Sequence, residues 1–407
     1  MADPSIETAP PKEVAAVPPD EARRAPDEVT SICLSGGGYR AMLFHTGALW
    51  RLHQTGLLNK IGIFSSVSGG SIANGWLALK WAELSAPGAN FEQVYVAGMR
   101  EIANTTIDFW AVLGGIWNGS IAARVAAAYD RVLFNGRTLQ QLPIAPEFIF
   151  DSSNLQSGAL WRFTREYMGD YKIGYVGKPD IPLSVAVGAS SAFPPILSPV
   201  ILNPPVDSYR PKTPAAAFRD PAYRSRVVLS DGGVYDNLGL EPVIKRARTV
   251  LVSDGGSPFA PKPKPCGFWP IQIIRVLMCE DNQVRGLRKR DLISRYQLYS
   301  ALMAASIDPW RIPEAASIAR KGTYWGITTH TDDYKTVNGT RPAPGLPCPP
   351  NLTEPLARIS TRLARMNEKD QEHLINWGYA VTDYAIRTHV EPTIPPATAW
   401  PYPRGLS

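Results

Sequence analysis

Apolar residues along this chain alternate between short dense runs and helical spacing, and their order predicts the architecture. Val29–Ser35 (VTSICLS) is a β-prone run closed by Gly36-Gly37-Gly38. From Arg40 to about Leu58 the spacing becomes helical, with Met42, Leu43, Leu49 and Leu52 on one repeat. Gly62–Val67 is a second short strand, and Ser68-Gly69-Gly70 turns it into a helix that runs to about Leu84. Two successive strand–turn–helix units predict a parallel sheet covered by helices.

Further along, residues 91–150 read as mainly helical, with an apolar segment near Phe109–Trp117. Residues 183–200 read as a strand followed by a loop ended by proline, and 201–225 as a Pro-rich loop. Arg226–Ser230 and Thr249–Ser253 are strands by composition, and Ile271–Met278 is a candidate for another. Helices are expected over 282–305 and within 353–390, with a Pro/Gly loop over 335–352 between them. No repeat and no dividing linker appears. The expectation is a disordered Pro/Ala-rich tail over 1–28, then one α/β domain over 29–395 with helical insertions and a helical C-terminal extension.

Composition adds limits. The chain has 407 residues, 44% hydrophobic and 19% charged, enough to build a sizeable core. The formal charge of +6 is spread out, with no dense basic run interleaved with aromatics, so nucleic acid is not an expected partner. Four cysteines show neither a CxxC pair nor zinc spacing with histidine, and no metal is expected. No apolar run is long enough to span a bilayer and no signal peptide is apparent. The expected location is therefore cytoplasmic, with at most peripheral membrane contact. Asn118-Gly119-Ser120 is then irrelevant as a glycosylation sequon. The basic run Arg285–Arg290 opens a helix in this reading and is a candidate contact for anionic headgroups.

Candidate chemistry concentrates in the glycine turns. Ser68 follows an apolar strand and precedes a helix, in Ser66-Val67-Ser68-Gly69-Gly70. That context forces a sharp turn that projects the hydroxyl, the logic of a nucleophile elbow, although Ser66 replaces the usual first glycine. Ser68 as a plain helix N-cap explains the pentapeptide equally well. The Gly36–Gly38 run shifts the balance, because glycines let backbone N–H groups face an external anion such as a tetrahedral oxyanion. Arg40, just beyond, can brace this loop or add positive field. Gly36-x-Gly38-x-x-Ala41 also fits a dinucleotide fingerprint, but no Asp or Glu lies between Ala41 and Ala82 to hold a ribose. A nucleotide-binding oxidoreductase is the weaker reading.

A serine nucleophile needs a base. Asp231 ends a strand and opens Asp231-Gly232-Gly233, which leaves its carboxylate accessible; Ser253-Asp254-Gly255-Gly256 meets the same local criteria. An Asp-Gly turn is the plain alternative for both. Of the five histidines (His45, His53, His330, His373 and His389) the last three keep a His-containing serine esterase as an alternative, although none sits in a glycine turn at a strand end.

At this point the sequence resembles the patatin-like phospholipases. Three motifs carry the likeness in order: Ser35-Gly36-Gly37-Gly38-Tyr39-Arg40-Ala41, Ser66-Val67-Ser68-Gly69-Gly70, and Asp231-Gly232-Gly233. Ala189-Ser190-Ser191-Ala192-Phe193-Pro194-Pro195 also resembles the family's stretch before the Asp motif, and the likeness spans about residues 29–260. It implies a three-layer α/β/α sandwich with a mainly parallel central sheet. It also implies a Ser68–Asp231 dyad without histidine, and an oxyanion hole from Gly36, Gly37, Gly38 and Gly69, with Arg40 beside them. Asp231 is preferred over Asp254 because the family motif continues to an Asn, matched by Asn237. Ser35, Ala41 and Ser66 depart from the pattern of plant patatins. The Ser-Gly-Gly-Gly-aromatic-Arg-Ala form is also similar to mammalian cytosolic phospholipases of the superfamily, whose calcium-binding membrane module has no counterpart here. The implied activity is a phospholipase or lysophospholipase of A type, acting on phospholipid or other lipid esters through an acyl-serine, with no cofactor. A non-catalytic lipid binder on the same fold is the remaining alternative.

Overall fold

The computed structural model describes residues 25–107, 121–210, 220–336 and 338–407. Residues 1–24 of the expected tail, the Phe109–Trp117 segment and the Asn118 sequon lie outside the described residues. The first strand begins before Val29. Strand β1 is Asp27–Leu34, and the Asp27 N–H donates to the Arg246 carbonyl at 2.7 Å.

The chain then runs through helix α1 (Gly38–Gln54), β2 (Ile61–Ser66) and α2 (Gly69–Leu84), as the periodicity predicts. Strands β3 (Glu147–Asn154), β4 (Ala159–Phe163), β5 (Tyr167–Asp170) and β6 (Gly174–Gly177) follow. Helix α3 (Leu183–Ser190) precedes β7 (Val200–Leu202), β8 (Tyr209–Arg210), β9 (Val227–Asp231) and β10 (Ala247–Asp254). The chain closes with α4 (Trp269–Ala304), β11 (Lys321–Gly326) and α5 (Glu368–His389).

Two expectations are corrected. Residues 183–190 form a helix where a strand was expected. The run LSVAVGAS is buried nearly throughout, so it shows neither the period of a half-exposed strand nor that of an amphipathic helix. Ile271–Met278 is likewise the start of α4 and not a strand; Pro270 occupies a first-turn position where its missing N–H costs nothing. The basic run Arg285–Arg290 therefore sits in the middle of α4 and does not open a helix.

The sheet is mixed. β11, β10, β1, β2 and β3 are parallel neighbours in that order. Beyond β3 the ribbon β4–β5–β6–β8 is antiparallel. Alternation along the central strands separates two cores. Ile32, Leu34 and Phe64 join the large cluster under α1, α2 and α5. Cys33, Ile63, Val250 and Val252 join Leu292 and Tyr296 of α4 on the other face. That is helix, sheet, helix in three layers. The C-terminal helix α5 is pinned on α1 by a buried pair between Arg51 and Asp383 at 2.6 Å, with Arg387 on the same carboxylate at 2.8 Å.

Strand β9, expected over Arg226–Ser230, forms as Val227–Asp231 and runs antiparallel to β3. Along β3, β2 pairs with Ile63↔Glu147 through Ser66↔Phe150, and there it stops. β9 enters from the opposite end and stops at Asp231↔Ser152. The two strands thus run head-on along one side of β3. Their last residues face positions two apart, about 7 Å along the strand.

Candidate active site

The turn after β2 fills the gap between the two strand ends. Ser68 adopts φ 53° and ψ −119°, one of four non-glycine residues with positive φ among the described residues. A left-handed serine is strained, and such strain concentrates at functional turns. The strain is held by hydrogen bonds on either side. The Ser68 N–H donates to Ser190 Oγ at 3.1 Å, and Ser190 Oγ donates to the Asp151 carbonyl at 2.6 Å. The Gly70 N–H reaches both Ser35 O (3.1 Å) and Val67 O (2.8 Å).

Asp231 meets this turn from β9. Its own N–H is held by the Ala192 carbonyl at 2.9 Å, and the next amide, Gly232, by Ser190 O at 3.2 Å. The segment from Ser190 to Ala192 therefore grips both strand ends. The sequence offered Ser190 as part of a family-like stretch but gave it no role; that it holds the elbow is visible only in three dimensions.

The Asp231 carboxyl is buried, and burial pushes it up to about 7. The Gly233 N–H on Oδ1 (2.7 Å) and the Ser68 hydroxyl pull the other way, while Asp281 adds a repulsive push. Oδ2 is buried without a partner of full hydrogen-bond geometry among the described residues. A long or bent Ser68–Asp231 contact fits both facts, and such contacts tighten when substrate arrives.

The glycine loop closes over the turn. A Cβ on Gly36 would lie 2.2 Å from Asn237 Oδ1 and 3.2 Å from the Ser68 Cβ, which places this loop against the serine. A Cβ on Gly69 would lie 2.1 Å from the Gly38 carbonyl oxygen, so only glycine lets the elbow and loop touch. The implied donor set narrows. The Gly36 N–H is already used on the Asn237 carbonyl at 3.1 Å. The amides of Gly37, Gly38 and Gly69 have no hydrogen-bond acceptor among the described residues. Arg40 is also committed elsewhere. Its guanidinium donates to the carbonyls of Gly255 (2.7 Å), Ala357 (2.8 Å) and Ile359 (2.9 Å), so it braces the loop and does not face a reacting atom.

The near-duplicate at Asp254 has a different environment. Its carboxylate accepts from Tyr324 Oη at 2.7 Å and the Gly256 N–H at 2.8 Å, with Arg285 at 3.7 Å. Burial alone would raise its pKa, but Arg285 and these hydrogen bonds hold it below the usual carboxylate range. A carboxylate so stabilised is a poor proton acceptor. Asp254→Asn is expected to leave Ser68 reactive while costing on the order of 3 kcal/mol at neutral pH, because Arg285 loses its buried partner. Thermal melting beside nucleophile labelling checks this. Loss of labelling with an unchanged melt would reverse the assignment.

The histidines lie elsewhere. His45 is buried, its Nδ1 at 2.8 Å from Ser253 Oγ and its Nε2 at 2.9 Å from Ser35 O, and burial lowers it to about 4. His53 contacts Ala89 O, His330 sits near Glu354, His373 near Ser407 O and His389 beside Tyr334. Most of the basic run is paired internally as well: Arg285 with Asp254, Arg288 with Asp236 and Glu241, and Lys289 over the Tyr324 ring. No cluster of three or more metal-ligating side chains occurs among the described residues.

The sequence matches the family model described as patatin-like phospholipase over residues 32–244. No match was found among the curated proteins. Among solved structures, human GIVD cytosolic phospholipase A2 in complex with methyl gamma-linolenyl fluorophosphonate is similar at 15% identity and TM-score 0.46, over 91% of this chain and 58% of that one. VipD from Legionella pneumophila is similar at 12% identity and TM-score 0.34, over 88% of this chain and 66% of that one. The chain thus spans less than two thirds of the human protein's length.

Proposed function

This chain belongs to the patatin-like phospholipase family, and from that premise we propose that it hydrolyses lipid acyl esters through a dyad of Ser68 and Asp231. The observation that carries the reading is the head-on meeting of β2 and β9. It brings a strained serine beside a buried carboxyl whose pKa lies near neutrality.

In the forward step Ser68 Oγ attacks the acyl carbonyl carbon while its proton passes to the Asp231 carboxylate. The carbonyl oxygen takes up negative charge beside the free amides of Gly37, Gly38 and Gly69. Collapse of the tetrahedral adduct breaks the C–O bond, and the alcohol leaves with the proton from Asp231. Water then attacks the acyl-serine while Asp231 takes its proton; the acyl C–Oγ bond breaks, Asp231 returns that proton to Ser68 Oγ, and the fatty acid departs. Burial gives Asp231 the two properties this needs: a carboxylate basic enough to accept a proton near pH 7, and little water to compete. Phospholipid or lysophospholipid esters of A type are the proposed substrates, and peripheral contact with a membrane follows from their location.

Labelling with a fluorophosphonate, with the adduct mapped by mass spectrometry, tests the nucleophile. Ser68 is the expected site. Because only ionised Asp231 can take the proton, the labelling rate should rise with pH through about 7 and level off above it. Modification of another serine, or a flat profile from pH 5 to 9, would overturn the dyad.

A further inference from the structure

The first half of α4 is apolar on opposite sides and exposed on both. With Phe268 just ahead of it, Trp269, Ile271, Ile273, Val276 and Met278 are between 43% and 67% accessible. At 3.6 residues per turn, Trp269, Ile273 and Val276 fall on one side of the axis, and Ile271 and Met278 on the other. An amphipathic helix would hide one stripe against the protein and wet the rest. This one exposes apolar side chains on two sides, more than a protein leaves in water without use.

The charge within the segment has one sign, and the first carboxylate after it is the exposed Glu280. From Gly255 to Cys279 the sequence contains no Asp or Glu, while Lys262, Lys264 and Arg275 are cationic. The Arg275 guanidinium lies 4.5 Å over the Phe259 ring, adding a third aromatic to the patch.

Just past Met278 the same helix is fastened to the site. Asp281 accepts a hydrogen bond from the Asn237 side chain, whose Oδ1 lies against Gly36 and Gly233. Arg285 and Arg288 then pair with Asp254 and Asp236. The apolar tip is about 18 Å along the helix axis from the Asn237 contact, at 1.5 Å per residue.

We infer that residues 259–278 form a docking surface for an anionic lipid bilayer. Phe268, Trp269 and the apolar sides of the helix enter the boundary between headgroups and acyl chains, and Lys262 and Lys264 meet lipid phosphates. The Arg285–Arg290 run, expected to serve this purpose, is largely spent on internal carboxylates. The inference rests on the proposed lipid hydrolysis for its choice of occupant. A second copy of the chain is the competing occupant, and charge favours it less: a two-fold contact through residues 259–278 sets Lys262, Lys264 and Arg275 of both copies together, with Glu280 as the first carboxylate beyond them.

The test is sedimentation of the full chain with mixed phosphatidylcholine–phosphatidylglycerol vesicles, beside turnover of a water-soluble short-chain ester. The variants are Ile271→Glu with Ile273→Glu, and Lys262→Gln with Lys264→Gln. The glutamate pair should weaken vesicle binding roughly tenfold or more, with unchanged melting temperature and soluble-ester turnover. The glutamine pair should weaken binding to anionic vesicles and spare binding to pure phosphatidylcholine. Vesicle binding by the glutamate pair equal to wild type would overturn the inference. So would a wild-type dimer that ignores vesicles and becomes monomeric in that variant, because the second copy is then the occupant. If the substitutions abolish vesicle binding while even wild type hydrolyses no ester, the docking surface stands and the proposed function falls.

Discussion

Ser68→Ala is expected to lower ester turnover by about 10⁶-fold, and Asp231→Asn by about 10⁴-fold. Because the two groups act as one unit, the double variant should be no slower than Ser68→Ala alone. The stability effects should separate them. The Asp231 carboxyl is raised from 3.8 to about 7 in the folded chain, so folding favours its protonated form. Below pH 3.8 the group is protonated in both states and costs nothing. As pH rises toward 7 the unfolded state ionises first and gains, and above about 7 the whole penalty is present, on the order of 4 kcal/mol. An amide at this position escapes that penalty. Asp231→Asn should therefore melt above wild type at pH 8.5 and close to it near pH 4, while Ser68→Ala shows no such trend. A variant that melts lower than wild type at pH 8.5 would mean that the carboxylate is well solvated or paired, and that the raised pKa is wrong.

Gly69→Ala is expected to be the most damaging change outside the dyad. The added methyl would sit 2.1 Å from the Gly38 carbonyl oxygen, well inside contact distance. Either the elbow or the glycine loop must retreat by more than an ångström. Loss of one oxyanion donor costs about 10²–10³ in kcat, and misplacement of the serine by about 1 Å costs a further 10². The expected fall is thus about 10⁴ in kcat, with overpacking costing about 1–3 kcal/mol of stability. Kinetics on a soluble ester together with a thermal melt checks both. Near-normal kcat in a folded Gly69→Ala protein would remove the Gly37–Gly38 loop from the reaction.

The two halves of the site differed in how much the sequence disclosed. Ser68 and the Gly36–Gly38 loop were legible because each lies in a continuous strand–turn–helix unit, where local spacing determines local geometry. Asp231 and Asp254 were alike in local pattern, since both end an apolar strand before two glycines, and only the family resemblance through Asn237 favoured Asp231. What separates them is Arg285 and Tyr324, contributed from 31 and 70 residues beyond Asp254, since both carboxyls are buried. Ser190 was hidden for the same reason: a serine that bonds a residue 122 positions away leaves no periodic trace.

The sequence by itself determined the order of elements in the parallel half of the sheet, the turn that strains Ser68, and the glycines that allow the loop to approach it. Those depend on contacts within a few residues, and local sterics dictate them. Only the tertiary structure decided that β9 is antiparallel, that residues 183–190 and 271–278 are helical, and that Arg40 braces a loop. It also placed Arg285 and Tyr324 against Asp254. Strand direction, burial and charge pairing are set by segments far apart in the chain, so no local pattern encodes them.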